Sequence, residues 1–305
     1  MNSLVIALLL ATDGGTASVE WKSIEVTSTP VGLLPDGGVK LDALAFKGAV
    51  ELTSTAETFG GLSGLRMWNG KLYAVADKRG TLFRFAPTHD AKGNLTGVSG
   101  AEATSLDIGD AEALEFANGA MWVSNEDSTT ISSFAVTKDQ ISSSATRAAM
   151  PTEGWNLARN KGFEAIAISK DCALMFSELS GMGFIGKPDA IFTAAPNLSA
   201  LAWPADFSPT DVHWVTPGKS ALVVLRKFDG KAYGGIARVT MSGCSPKDFK
   251  LQVVTTWGEP VLVDNYEALV VVPGAKTDTL FVLSDDNFKS KGPQHTYLLE
   301  FSLPH

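Results

Sequence analysis

Five segments of this chain open alike, with a polar approach, one marked residue and then a short apolar run. They are "FGGLSGLRM" from Phe59, "GDAEALEFA" from Gly109, "KGFEAIAIS" from Lys161, "SPTDVHWVT" from Ser208 and "DNYEALVVV" from Asp264. The marked positions hold Ser63, Glu112, Glu164, Asp211 and Glu267, at intervals of 49, 52, 47 and 56 residues. A recurrence near 50 residues suits one propeller blade, and a sandwich gives no reason for so long a period.

Downstream of each marked residue a second strand-like run follows: "KLYAVADK", "AMWVSNED", "ALMFSELS", "ALVVLRKF" and "TLFVLSDD". These are rich in Val, Phe, Tyr and Trp, which fit a pleated, half-buried surface. A third run comes next: "TLFRFAP", "TTISSFAV", "DAIFTAA", "GIARVTM" and "TYLLEFSL". A fourth is present in some copies, such as "KLQVVTTW" from Lys250. The pattern predicts an all-β chain, a β-propeller of four-stranded blades. Five copies argue for five blades, and residues 19–58 leave room for a sixth. The last copy ends after its third strand. "GAVELTST" from Gly48 is placed to supply the outer strand and close the ring, which protects sheet edges.

In a propeller the first strand of each blade borders the central channel, so residues at its entry converge on one mouth. Glu112, Glu164, Asp211 and Glu267 should meet there. Carboxylates so close repel unless a cation, shared protons or basic side chains offset them. Their oxygens suit Ca²⁺, with Mg²⁺ or Mn²⁺ as alternatives. Asp264, Asn265, Asp110 and Asn160 are further donors nearby. The same repetition has a structural reading, in which acids at strand entries bond the next blade's backbone and lock the packing. A second acidic set follows the second strands: Asp77, Asn125, Glu126, Asp127, Glu178, Asp285, Asp286 and Asn287. Turn chemistry accounts for these as readily as ligation. Lys78, Arg79, Arg226 and Lys227 occupy this place in the first and fourth copies, where they would offset acids or hold an anionic substrate.

The chain of 305 residues carries a formal net charge of -8, which disfavours nucleic acid as a partner. Residues 4–11 form an apolar run resembling the core of a secretory signal, with a cleavage point near Ala17 or Ser18. The expected organisation is a signal peptide over residues 1–18 and one propeller over 19–305, a periplasmic or secreted monomer. No run approaches the roughly 18 apolar residues that a membrane span needs. Cys172 and Cys244 permit one disulfide in an exported chain, or stand as two buried thiols. Nucleophile elbow, zinc-protease and phosphate-loop motifs are absent. Of four histidines, His213 shares a strand face with Asp211, two residues away, and is a candidate base.

"FGGLSGLRMWNGKLYAVADKRG", "GFEAIAIS" and above all "DNYEALVVVPGAKTDTLFVLSDDNF" followed by "TYLLEFSL" resemble the phytase-like domain family, described by its esterase-like activity. The resemblance spans roughly residues 58–305. It implies a β-propeller and a hydrolase of phosphate or carboxylic esters, with Glu164, Glu267, Asp285, Asp286 and Asn287 at family-like positions. The pattern of Glu, a small residue and an apolar strand also looks similar to that of the calcium-dependent lactonase propellers, which implies a metal held by convergent carboxylates and an Asn. The expected function is therefore metal-assisted hydrolysis of an ester, lactone or phosphoester at the channel mouth. Glu267, Glu164 and His213 would be catalytic. Arg226, Lys78, Asn265 and Asp285 would bind substrate, and Glu112, Glu164, Asp211 and Glu267 would bind the metal. The alternative is a non-catalytic envelope propeller that binds a ligand or a protein.

Overall fold

The computed structural model describes residues 17–35, 41, 44–78, 80–125, 129–157, 162–178, 181–193, 195–199, 201–288 and 294–304. Three N-terminal strands, β1 (Lys22–Ser23), β2 (Val26–Val31) and β3 (Ala45–Ser54), precede the repeats. The first blade holds β4 (Leu62–Trp68), β5 (Lys71–Ala76), β6 (Thr81–His89) and β7 (Leu95–Ser105). The second holds β8 (Ala111–Ala117), β9 (Ala120–Asn125), β10 (Thr130–Thr137) and β11 (Gln140–Ala149). The third has β12 (Ala165–Ile168), β13 (Ala173–Phe176) and β14 (Gly183–Gly186). The fourth has β15 (Ser208–Thr216), β16 (Ser220–Phe228), β17 (Ala232–Thr240) and β18 (Lys250–Trp257). The fifth has β19 (Tyr266–Val272), β20 (Thr277–Ser284) and β21 (Tyr297–Pro304). All pairings within the blades are antiparallel, and the five sheets form a five-bladed propeller.

The ring closes as its unfinished last copy requires. β3 pairs with β21, with Leu298 opposite Val50, and β2 pairs with β3 outside it. β1 pairs with the outer edge of the first blade. Residues 19–58 thus complete two existing blades and make no sixth. The third blade departs from the expected four strands. "DAIFTAA" does not supply its third strand; the strand is "GFIG" at β14, and Pro188–Phe192 is a 3-10 turn. Pro188 lacks an N–H, so it opens that turn at no cost in hydrogen bonds. Asn197 covers the exposed edge by imitating a peptide: its Oδ1 accepts from the Ile185 N–H at 2.9 Å and its Nδ2 donates to the Ile185 carbonyl at 2.7 Å.

The core lies between blades. Each strand turns alternate residues to its two neighbours, so each seam between adjacent blades is one apolar cluster. Phe83, Leu65 and Val270 fill the seam of the fifth and first blades. Leu222, Tyr266 and Leu269 fill that of the fourth and fifth. Val212, Phe176 and Val223 fill that of the third and fourth. Cys172 and Cys244 form a disulfide across this last seam. Among the described residues no helix is long and apolar enough to cross a membrane.

One charged side chain occupies the axis. Arg66, on β4, is 1% exposed, and its guanidinium touches all five blades. Nε donates to Glu115 Oε2 at 3.1 Å in the second blade. Nη1 donates to the Leu65 carbonyl in the first blade at 2.6 Å and to the Leu269 carbonyl in the fifth at 3.0 Å. Nη2 donates to the Ile166 carbonyl in the third and the Val212 carbonyl in the fourth, each at 2.8 Å. Asp211 grips the guanidinium with both oxygens, at 2.8 and 3.0 Å. It also accepts the Leu269 N–H at 3.0 Å, tying the fourth blade to the fifth. Burial pushes the Glu115 carboxyl up to about 7 despite the adjacent arginine.

Replacing one member of a buried ion pair leaves its partner uncompensated, which costs roughly 3–5 kcal/mol. Arg66→Met should therefore lose about that much stability in urea unfolding. Adding Asp211→Asn and Glu115→Gln should recover part of the loss. Equal stability of Arg66→Met and the parent chain would show that the axis carries no such load.

Candidate functional site

The innermost strands all start on one face, and the second strand of each blade ends there. Register fixes this: Leu62 pairs with Ala76, Ala111 with Asn125, Ala165 with Phe176, Ser208 with Arg226 and Tyr266 with Ser284. The described members of both acidic sets, Asp211 apart, therefore fall on a single entry face. Arg66 lies on the axis below this face.

Arg226 organises one side of the mouth. It ends the core-facing part of β16, where the other blades carry Ala, Asn, Phe or Ser, and it reaches across two seams. Nη1 donates to Glu267 of the fifth blade and to Asn265 Oδ1, the latter at 2.7 Å. Nη2 donates to Glu178 of the third blade. Glu164 adds a further negative charge within electrostatic reach. Burial pushes the Glu267 carboxyl up to about 8; Arg226 opposes the shift, and Asp285 and Glu178 add to it. Burial alone would lower the Arg226 pKa, but Glu267 and Glu178 outweigh it, so the guanidinium keeps its charge.

A second group sits between the fifth and first blades. Asp285 is 4% exposed, and burial followed by the Asp77 charge pushes it up to about 7. Its Oδ2 lies 3.4 Å from Asn265 Nδ2, which joins the two groups. Asp77 approaches Lys78 Nζ at 3.3 Å through Oδ2, while its buried Oδ1 has no hydrogen-bond partner among the described residues. Gly61 makes room for that oxygen: its φ is +62°, and a Cβ there would lie 2.2 Å from Asp77 Oδ1. The Gly61 N–H is taken by Asp286 Oδ1 at 2.9 Å, and the Lys78 N–H by Asp110 Oδ1 at 2.9 Å.

The structure brings together Glu267, Glu164, Arg226, Asn265, Asp285 and Lys78 around this face. It separates two other candidates from them. Asp211 lies deeper than the repeat alignment implies, because β15 begins at Ser208 and places it level with Leu269. His213 lies deeper still. Its Nδ1 accepts from the Val271 N–H at 3.3 Å, on the far side of the Arg66 plane from Glu267. Burial, then the Arg66 charge, holds its pKa well below 6.5, so the ring is neutral. Glu112 is half-buried at the second position of β8. The signal peptide, Arg79, Glu126, Asp127 and Asn160 lie outside the described residues or, for the signal peptide, almost wholly so.

The four carboxylates read as Ca²⁺ ligands do not form one donor set. Asp211 is gripped by Arg66, and Glu267 by Arg226. Among the described residues no three His, Cys, Asp or Glu side chains are grouped to hold a metal. The arrangement fits two arginine-centred clusters better than a resident ion. Sequence reasoning passed over Arg66 and Glu115. Their signal was a charge on an innermost strand, within "SGLRMW" and "EALEFA", where a propeller tolerates only a paired one.

The folded chain keeps protons on Glu267 and Asp285 at pH values where the unfolded chain, with ordinary values of 4.5 and 3.8, has lost them. A folded state that binds more protons loses stability as pH rises. Urea midpoints should therefore fall from about pH 4.5 up through about pH 8. Glu267→Gln should flatten the upper part of that slope. An unchanged slope in the variant would remove Glu267 as its source.

Among solved structures the chain is similar to glutaminyl cyclase of Myxococcus xanthus, 12% identical over 81% of this chain and 92% of that one, with a TM-score of 0.48. It is also similar to the PQQ-bound aldose sugar dehydrogenase of Streptomyces coelicolor, 12% identical over 92% and 98%, TM-score 0.43. A hypothetical protein of Leishmania major is 11% identical over 86% and 87%, TM-score 0.47. No curated protein matches the sequence. The family model described as "Phytase-like: Esterase-like activity of phytase" matches residues 57–288, which take in the first four repeats, the first two strands of the fifth and both groups of the mouth. The chain belongs to the phytase-like family.

Proposed function

We infer that the entry-face mouth is a hydrolytic site for an ester, lactone or phosphoester, working by general acid–base chemistry. The observation that carries this reading is a buried Glu267, pushed up to about 8, in direct contact with Arg226. A carboxyl that keeps its proton near neutral pH is suited to protonate a leaving oxygen. Arg226 would hold the carbonyl or phosphoryl oxygen as charge develops there. Glu164, on the same side of the mouth, would take a proton from the attacking water. Asn265, Asp285 and Lys78 would orient the remainder of the substrate. Family membership supports the reaction class.

A binding role without turnover is the second reading, favoured by one observation. The arginines already engage Asp211, Glu178 and Glu267, as a structural lock would. The Cys172–Cys244 disulfide supports export, since such bonds persist in oxidising compartments.

Nitrophenyl esters, lactones, nitrophenyl phosphate and phytate should be assayed after EDTA treatment, then with Ca²⁺, Mg²⁺ or Mn²⁺ restored. At least one substrate class should turn over, with a rate that declines as pH rises through about 8. Glu267→Gln should cost on the order of 10²-fold in kcat. Turnover that appears only with one metal would replace the acid–base reading by a metal-assisted one. No turnover in any condition would leave the binding role.

A further inference from the structure

The seam between the third and fourth blades is fastened at both ends. On the entry face Arg226 of the fourth blade holds Glu178 of the third. On the opposite face Cys172, which precedes β13, is bonded to Cys244, which follows β17. The third blade is the smallest, with three strands of four residues each. β13 runs from the one fastening to the other: Cys172 stands just before its first residue and Glu178 two residues after its last. One short, buried strand thus joins the disulfide to Glu178.

The disulfide is open to chemistry. It forms part of the wall of a cleft of about 360 Å³ on the exit face, with Lys170, Lys219, Gly218 and Gly243 beside it. Cys172 is buried and Cys244 half-buried, so Cys244 is the more accessible residue of the pair. Lys170 and Lys219 are exposed there together with Asp171, which leaves a net positive wall for an approaching thiolate, the species that attacks a disulfide.

We propose that this cleft is a thiol–disulfide exchange site, and that the bond's redox state sets how firmly the third blade holds Glu178 against Arg226. A dithiol reductant is the co-reactant. Its thiolate attacks Cys244 Sγ, the Cys172–Cys244 bond breaks, and Cys172 leaves as a thiolate that takes up a proton. The reductant's second thiolate then attacks its own bonded sulfur. That step releases Cys244 as a thiol and closes the reductant into a disulfide. Two electrons and two protons pass to the protein. Reduction frees the lower end of the seam, and β13 gains freedom at its upper end.

The test treats the folded protein with dithiothreitol in urea concentrations below the unfolding transition. Alkylation with mass-spectrometric mapping and amide hydrogen exchange are followed together. Reduction should proceed at a rate independent of urea, and acid-trapped mixed disulfide should carry the reductant on Cys244 with Cys172 free. Exchange at residues 176–178 should become severalfold faster, while the fifth blade is unchanged. Arg226→Gln should raise exchange at 176–178 in the oxidised protein as well. A reduction rate that climbs in step with unfolding would overturn the site. Reduction of the folded protein with unchanged exchange at 176–178 would overturn the coupling to the mouth.

Discussion

The Arg66 guanidinium is the point on which five blades converge. A propeller made of short strands has no central element of its own, and its innermost strands leave carbonyls pointing at the axis. Those carbonyls need donors where water is largely excluded. Arg66 supplies its N–H groups at one height to carbonyls of four blades and to Glu115 of the remaining one. Such a charge is tolerable only because Asp211 and Glu115 are there to meet it. The same side chain gives the molecule its polarity. Above it lie the carboxyls of the entry face with Arg226 among them; below it lie a neutral His213 and the exit-face turns.

The mouth follows the same logic with a different balance. Arg226 is one cation among Glu267, Glu178 and Glu164, so negative charge exceeds positive around it. Burial then decides which carboxyls keep their protons. Glu267 and Asp285 do so, at about 8 and about 7. Proton-carrying and proton-accepting groups side by side are the ordinary signature of acid–base sites. A ring of equivalent ligands would have needed Asp211 at the height of Glu267, and β15 does not place it there.

Much of the fold was legible in the sequence because a repeat fixes architecture by geometry. Five like strands near 50 residues apart, four of them led by an acid and one by Ser63, leave little besides a propeller, and a last copy one strand short demands a partner from the N-terminus. The third blade was misread at its third strand, since "DAIFTAA" has strand-like residues but follows Pro188, and Asn197 caps the real edge. The candidate site was legible as a set of residues on one face. Its pairings were not. Whether an acid meets a metal or an arginine depends on depth along a strand, and a shift of about two residues in β15 sends Asp211 to Arg66. No spacing rule reports that shift, because it arises where the entry to β15 differs from the other blades.

A proton held by Glu267 beside Arg226 is the central claim. A carboxyl-carbon NMR titration of glutamate-labelled protein, with Glu267→Gln to assign the signal, measures it directly. One resonance should titrate near 8 and vanish in the variant. A Glu267 resonance titrating near the ordinary 4.5 would contradict it, and the mouth would then be a fully charged lock.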